Sequence, residues 1–88
     1  MRTAFRKSFL RDLRKLSAPG VTARVRSVIE GVESAPSLAD VPGITSMSGA
    51  DGFYRVRIGD YRIGVSVSGD EVEFVRVLHR RDIYRYFP

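Results

Sequence analysis

"FYRVRIGDYRIGVSVSG", residues 53–69, decides the fold. Two runs of alternating apolar and polar residues, Tyr54–Ile58 and Tyr61–Val67, flank Gly59 and Asp60. Period-two alternation marks a half-buried strand, and glycine in the first turn position suits a two-residue type II′ turn. A hairpin closed there sets Ile58 opposite Tyr61, Arg57 opposite Arg62, Val56 opposite Ile63 and Arg55 opposite Gly64. Side chains alternate between faces. One face therefore carries Val56, Ile58, Tyr61, Ile63, Val65 and Val67, continued by Tyr54, and must be covered. The other carries Phe53, Arg55, Arg57, Arg62, Gly64 and Ser66. Two cations opposed across strands cost about 0.2–1 kcal/mol, and no acid on this face offsets them. Gly64 and Ser66 leave a shallow floor between the arginines, and glycine is a poor strand residue unless something approaches closely. Three forked cations around such a floor make a phosphate cradle; a sheet face left to solvent gives the same pattern.

What covers the apolar face comes earlier in the chain. Residues 2–5 can form a short strand. Phe9, Leu13 and Leu16 then recur at helical spacing, with Arg11, Asp12, Arg14 and Lys15 on the other sides, until "SAPG" at 17–20 breaks the pattern. From Val21 to Ser34 the residues Val21, Val25, Val28, Ile29 and Val32 form one apolar stripe. The two segments predict a helical hairpin. "SAPSLADVPG" is a loop, Ile44–Ser48 a weak strand and "GADG" at 49–52 a turn. After the central hairpin, "SGD" turns into the strand "EVEFVRVLH", and "RRDIYRYFP" is a short helix or an irregular tail. The order is β-α-α-β-β-β-β plus a tail: an α+β fold with a two-helix hairpin on one face of a small antiparallel sheet.

At 88 residues the chain suits one small domain spanning residues 1–88. The absence of cysteine excludes disulfides, thiol chemistry and a cysteine-ligated metal, and one histidine cannot build a zinc site. No metal or cofactor is expected. The N-terminus mixes charged and apolar residues, unlike a signal peptide, and no segment approaches the roughly 20 apolar residues that span a bilayer. A reducing cytoplasm is the expected compartment.

The charge points to a polyanion. Net charge is +5, from 13 arginines and 2 lysines against 10 acids. Arginine's fork fits phosphate, whereas a merely solvated surface usually mixes in more lysine. The distribution is uneven: residues 1–26 hold eight bases and one acid, residues 27–51 four acids and no base. Such asymmetry suits a nucleic-acid partner. The tail adds His79, Arg80, Arg81, Tyr84, Arg85 and Tyr86 directly after the last strand. If that strand pairs beside Tyr61–Val67, its end reaches the arginine face. Interleaved bases and aromatics suit RNA, with arginine on phosphate and tyrosine on a base. Tyr86 and Phe87 are expected to pack the tail onto the sheet instead, and a lone His79 also serves as an ordinary structural residue.

These residues resemble the RelE/ParE superfamily of toxins from bacterial type II toxin–antitoxin pairs. The likeness runs through the basic helical hairpin, "YRVRIGDYR" and the ending "HRRDIYRYFP". It is nearest to the RelE-like members, ribosome-dependent endoribonucleases that cut mRNA. The resemblance implies that Arg55 and Arg57 contact the RNA backbone and that Arg62 holds the scissile phosphate. It also implies that Arg80 follows the last strand as a further basic residue and that Tyr84 stands near the attacking 2′-hydroxyl. Arg81 and Arg85 are candidate RNA-binding residues, and His79 a candidate for proton transfer. The implied partners are a cognate antitoxin, forming a hetero-oligomer, and the ribosome with its mRNA. The ParE-like members, which bind DNA gyrase and cut no RNA, share the implied fold, and a non-catalytic nucleic-acid-binding module is a third reading.

RNA self-cleavage needs the 2′-oxygen activated, the phosphorane charge stabilised and the leaving 5′-oxygen protonated. Arginine does the second well and the others poorly, because its pKa exceeds about 12. Many RelE-like toxins carry lysine in the hairpin where this chain has Arg55 and Arg57. Catalysis here would rest on charge and positioning, with Tyr84 or His79 moving protons.

Overall fold

The computed structural model describes residues 1–88. Its elements run β1 (Arg2–Phe5), α1 (Lys7–Lys15), α2 (Pro19–Ser34), β2 (Ile44–Ser46), β3 (Phe53–Ile58), β4 (Tyr61–Ser68), β5 (Glu71–His79) and α3 (Ile83–Tyr86), with a 3-10 turn at Leu38–Asp40. One five-stranded sheet has the order β1-β5-β4-β3-β2. The β3–β4 register is the one that alternation requires: Arg57 faces Arg62, Val56 faces Ile63 and Arg55 faces Gly64. Gly59 has φ +62° and Asp60 does not take positive φ. That combination fits a type II′ turn and excludes type I′, which needs positive φ at both positions.

Neither long helix carries a side-chain N-cap, so packing rather than capping holds them. α2 begins two residues before the expected Val21, at Pro19, because the first helical position has no use for the N–H that proline lacks. Phe9, Val25 and Val32 of the helices meet Val56, Ile58, Ile63, Val65, Val72, Phe74 and Val77 of the sheet in one buried cluster. Each such side chain contributes about 1.5–3 kcal/mol on burial.

One edge of the sheet departs from the expected all-antiparallel arrangement. β1 pairs parallel with β5, Arg2 opposite Glu71 through Phe5 opposite Phe74. Alternation encodes which face a residue takes, not strand direction, and a parallel neighbour only requires a long crossover, which the intervening chain supplies. Beyond Phe5 the chain becomes α1, which runs along the rest of the β5 edge and satisfies it with side chains. The Ser8 hydroxyl donates to the Val75 carbonyl (2.6 Å), and the Asp12 carboxylate accepts the Val77 N–H (3.2 Å). Asp12, buried, also takes two bonds from the Arg76 guanidinium (2.7 and 3.0 Å). The hydrogen bond to Asp12 holds Arg76 above the usual arginine pKa, outweighing partial burial, which lowers it. A raised pKa contributes stability that is complete below the unfolded value and fades only in strong base, so this pair adds no pH dependence near neutrality from the arginine side.

The opposite sheet face is not bare. β5 carries a bulge: Gly64 opposes Arg76 while Val65 opposes Phe74, and Val75 is the extra residue. Val75 joins Met47, Ile83 and Phe87 in a second buried cluster, flanked by Phe53 and Leu78. The tail therefore folds back under the sheet. Phe87 packs as expected, at 2% exposure, but Tyr86 does not: it is 52% exposed. No helix is long and apolar enough to cross a membrane.

Candidate nucleic-acid interface

The second face divides into a covered half and an open half. Across β3, β4 and β5, one row reads Arg55, Gly64, Arg76 and the next Arg57, Arg62, Leu78. The tail lies on the first row. A Cβ on Gly64 would stand 2.7 Å from Cγ and Cδ2 of Phe87, so glycine is there to admit that ring. This corrects the expectation of an open floor for phosphate: Gly64 is buried under the tail. The Phe87 ring also meets Phe53 edge-on at 5.6 Å. Beside it, the Arg55 guanidinium lies 5.4 Å from the Tyr84 ring centroid, and Arg76 lies 5.6 Å from that of Tyr86. Docking Phe87 thus sets the two exposed tyrosines against the two arginines that flank Gly64.

The second row is open. Arg57 is exposed beside Arg62, and the four ion pairs of the molecule engage Arg2, Arg6, Arg76 and Arg80 instead. Arg55, Arg57 and Arg62 therefore have no carboxylate partner. Arg62 is held by its own turn: Nη1 donates to the carbonyls of Gly59 (2.7 Å) and Tyr61 (2.8 Å). One edge of the guanidinium fork is used and the remainder is left for a ligand. Arg80 comes to the same end of the sheet, because its N–H donates to the Asp60 carbonyl (2.8 Å) and its Nε lies 4.0 Å from the Asp60 carboxylate. That exposed pair is worth little energetically and serves to mark position.

The other candidates are placed differently. Arg81 and Arg85 are exposed on the tail. His79 lies opposite Tyr61, with ring centroids 5.5 Å apart, and so belongs to the helix face, away from the arginines. Its Nδ1 accepts the Arg81 N–H at 3.2 Å. The hairpin register already implied this, since Tyr61 faces the helices. Two arginines were missed. Arg76 escaped because the bulge reverses which side of the sheet β5 residues take. Arg24 of α2 escaped because nothing in a helical stripe reveals that its guanidinium reaches Gly59: a Cβ there would stand 2.8 Å from its Nη1.

A helical hairpin lies on one side of a five-stranded sheet, with unpaired arginines and an aromatic tail on the other, and this is the architecture of a known class of small toxins. The family profile described as the ParE toxin of type II toxin–antitoxin system, parDE, matches residues 4–84, and the chain belongs to that family. It is 42% identical over 90 residues to Toxin RelE3 of Methanocaldococcus jannaschii, across all of both chains. It is also similar to the toxin of a RelB–RelE antitoxin–toxin complex from Methanococcus jannaschii, with 39% identity and a TM-score of 0.82 over 97% of this chain and 99% of that one. The RelBE2 complex of Mycobacterium tuberculosis matches at 26% identity and a TM-score of 0.70, over 90% of this chain and 96% of that one.

Proposed function

We propose that this toxin is a ribosome-dependent endoribonuclease that cuts mRNA. The observation that carries the reading is the open row of unneutralised arginines beside Arg55 and an exposed tyrosine. In the reaction, the 2′-oxygen attacks the adjacent phosphorus, the bond to the 5′-oxygen breaks, and a 2′,3′-cyclic phosphate and a 5′-hydroxyl result. The 2′-hydroxyl gives up a proton and the leaving 5′-oxygen gains one. Arg62, with part of its fork free and its direction fixed by the turn, holds the scissile phosphate and stabilises the phosphorane. Arg55, Arg57 and Arg80 bind the flanking backbone. Tyr84, 62% exposed and set against Arg55, is the group for proton transfer at the 2′-oxygen. Its position favours it over His79, which faces the helices. Arg81 and Arg85 extend the RNA contact along the tail.

The same reading treats residues 1–88 as one toxin domain acting in the cytoplasm and neutralised by a cognate antitoxin. The similarity to toxins solved in RelB–RelE complexes supports such a partner. The ParE family match keeps a second reading in play, inhibition of DNA gyrase without RNA cleavage.

Induced expression without a partner gene, with new mRNA 5′ ends mapped, separates the two. The run is paired with Arg62→Ala. The expected result is cuts confined to translated frames, reduced at least about 100-fold in the variant, the scale on which loss of one transition-state donor acts. Growth arrest with intact mRNA would transfer the case to the gyrase reading.

A further inference from the structure

The hairpin tip gathers cations from both layers of the molecule. Gly59 is touched from the sheet side by Arg62, which donates to its carbonyl, and approached from the helix side by Arg24, whose Nη1 stands 2.8 Å from where a Cβ on that glycine would lie. Arg80 is held at the neighbouring Asp60. Asp60 is the one acid at this tip, and it lies at the edge of ion-pair range from Arg80. Arg24 is in none of the molecule's four ion pairs. A glycine with positive φ meets the needs of the turn, and its bare α-carbon leaves room for the end of the Arg24 side chain.

We infer that Arg24 is a phosphate-binding residue, and that the RNA surface continues from Arg57 and Arg62 around the Gly59–Asp60 turn onto α2. This rests on the RNA reading proposed above and extends it to a residue on the helical layer. An unpaired, exposed arginine that shares Gly59 as a neighbour with another arginine raises the local positive potential, and a polyanionic backbone relieves it. The contact is to phosphate, not to a base, so it adds affinity without sequence preference.

α2 supplies its own control. Arg26 lies two positions on, about 200° around the helix, beside Leu13 and Glu30 and away from the tip. Arg24→Gln and Arg26→Gln therefore make the same charge change in two places. The probe is a short 2′-O-methyl oligoribonucleotide, which the toxin cannot cut, titrated at several chloride concentrations. Arg24→Gln should weaken binding to every sequence alike and reduce the slope of log affinity against log salt by about 0.7, the value for one phosphate contact on a single strand. Arg26→Gln should leave the slope unchanged. Arg24→Lys should keep the full slope, because a single phosphate contact needs the charge more than the fork.

Equal losses in Arg24→Gln and Arg26→Gln would reduce the effect to net charge and overturn the inference. A loss in Arg62→Ala with none in Arg24→Gln would overturn it alone and leave the ribonuclease reading standing. No loss in Arg62→Ala would overturn both, and no binding by the unaltered protein would overturn the inference while leaving the ribosome-dependent reading to the cleavage assay.

Discussion

Arg57 and Arg62 face each other across the hairpin with no carboxylate between them, although neighbouring strands could have supplied one. Such a pair costs the fold about 0.2–1 kcal/mol. Arg57→Gln should therefore stabilise the free protein by a few tenths to about 1 kcal/mol, a rise of roughly 2–6 °C in melting temperature for a domain this size. The same variant should weaken toxicity, because it removes a charge proposed to bind RNA. A chemical-denaturation curve and a growth assay on the one variant check both halves. A destabilised Arg57→Gln would mean that the pair is structurally favourable and that its reading as a ligand site is mistaken. This pair was legible in the sequence because period-two alternation and a two-residue turn fix the register without knowledge of anything else. Gly64 was legible only as an oddity. A bare strand glycine invites a ligand or a ring equally well, and the ring comes from residue 87, far off in the sequence.

At the scale of elements, the tail is what sequence reasoning described least well and what matters most to the site. α3 has only four residues and cannot persist alone. It is held by two buried anchors, Ile83 at 0% exposure and Phe87 at 2%. Between them the helix presents Tyr84 outward, against Arg55. The register of this short helix on the sheet therefore sets the geometry of the proposed proton carrier. Gly64→Ala tests it, since the added methyl would meet a ring at 2.7 Å in a packed cluster. The expected cost is about 1–3 kcal/mol, with the tail becoming sensitive to protease before the sheet unfolds. Cleavage should fall much further than RNA affinity, because Arg57 and Arg62 are untouched while Tyr84 is displaced. Wild-type cleavage with a melted tail would show that Tyr84 takes no part. The parallel edge and the β5 bulge were hidden for a related reason. Both depend on which distant segment lies alongside, and the apolar residues of β5, Val72, Phe74, Val75, Val77 and Leu78, do not show which face each takes until the helices and the tail claim opposite sides of the strand.

For the whole molecule, the two layers divide the charge by purpose. Ion pairs tie Arg2 of β1 to Asp70 just before β5 and Arg6, just after β1, to Glu73 of β5, and the buried Asp12–Arg76 pair ties α1 to the same strand. At the hairpin tip only Arg80 has an acid partner, Asp60 at 4.0 Å, and Arg24, Arg57 and Arg62 have none. A protein organised this way should respond to salt in a particular direction. Charge interactions decay over about 10 Å at 0.1 M salt, so added chloride weakens the three exposed pairs and the repulsion among free arginines alike. Exposed pairs are worth little to begin with, and the Asp12–Arg76 pair is partly sheltered. With a net charge of +5, repulsion among the cations outweighs what the exposed pairs contribute. Melting temperature should therefore rise by a few degrees between 0.05 and 0.5 M sodium chloride, on the order of 0.5–1 kcal/mol. The rise should be smaller in Arg57→Gln, from which part of the repulsion is gone. Thermal melts of both proteins across that range decide it. A melting temperature that falls with salt would show that the exposed ion pairs dominate and that the free arginines do not strain the fold. A rise as large in Arg57→Gln as in the unaltered protein would place the repulsion away from the hairpin, and this face would then not be one held ready for a polyanion.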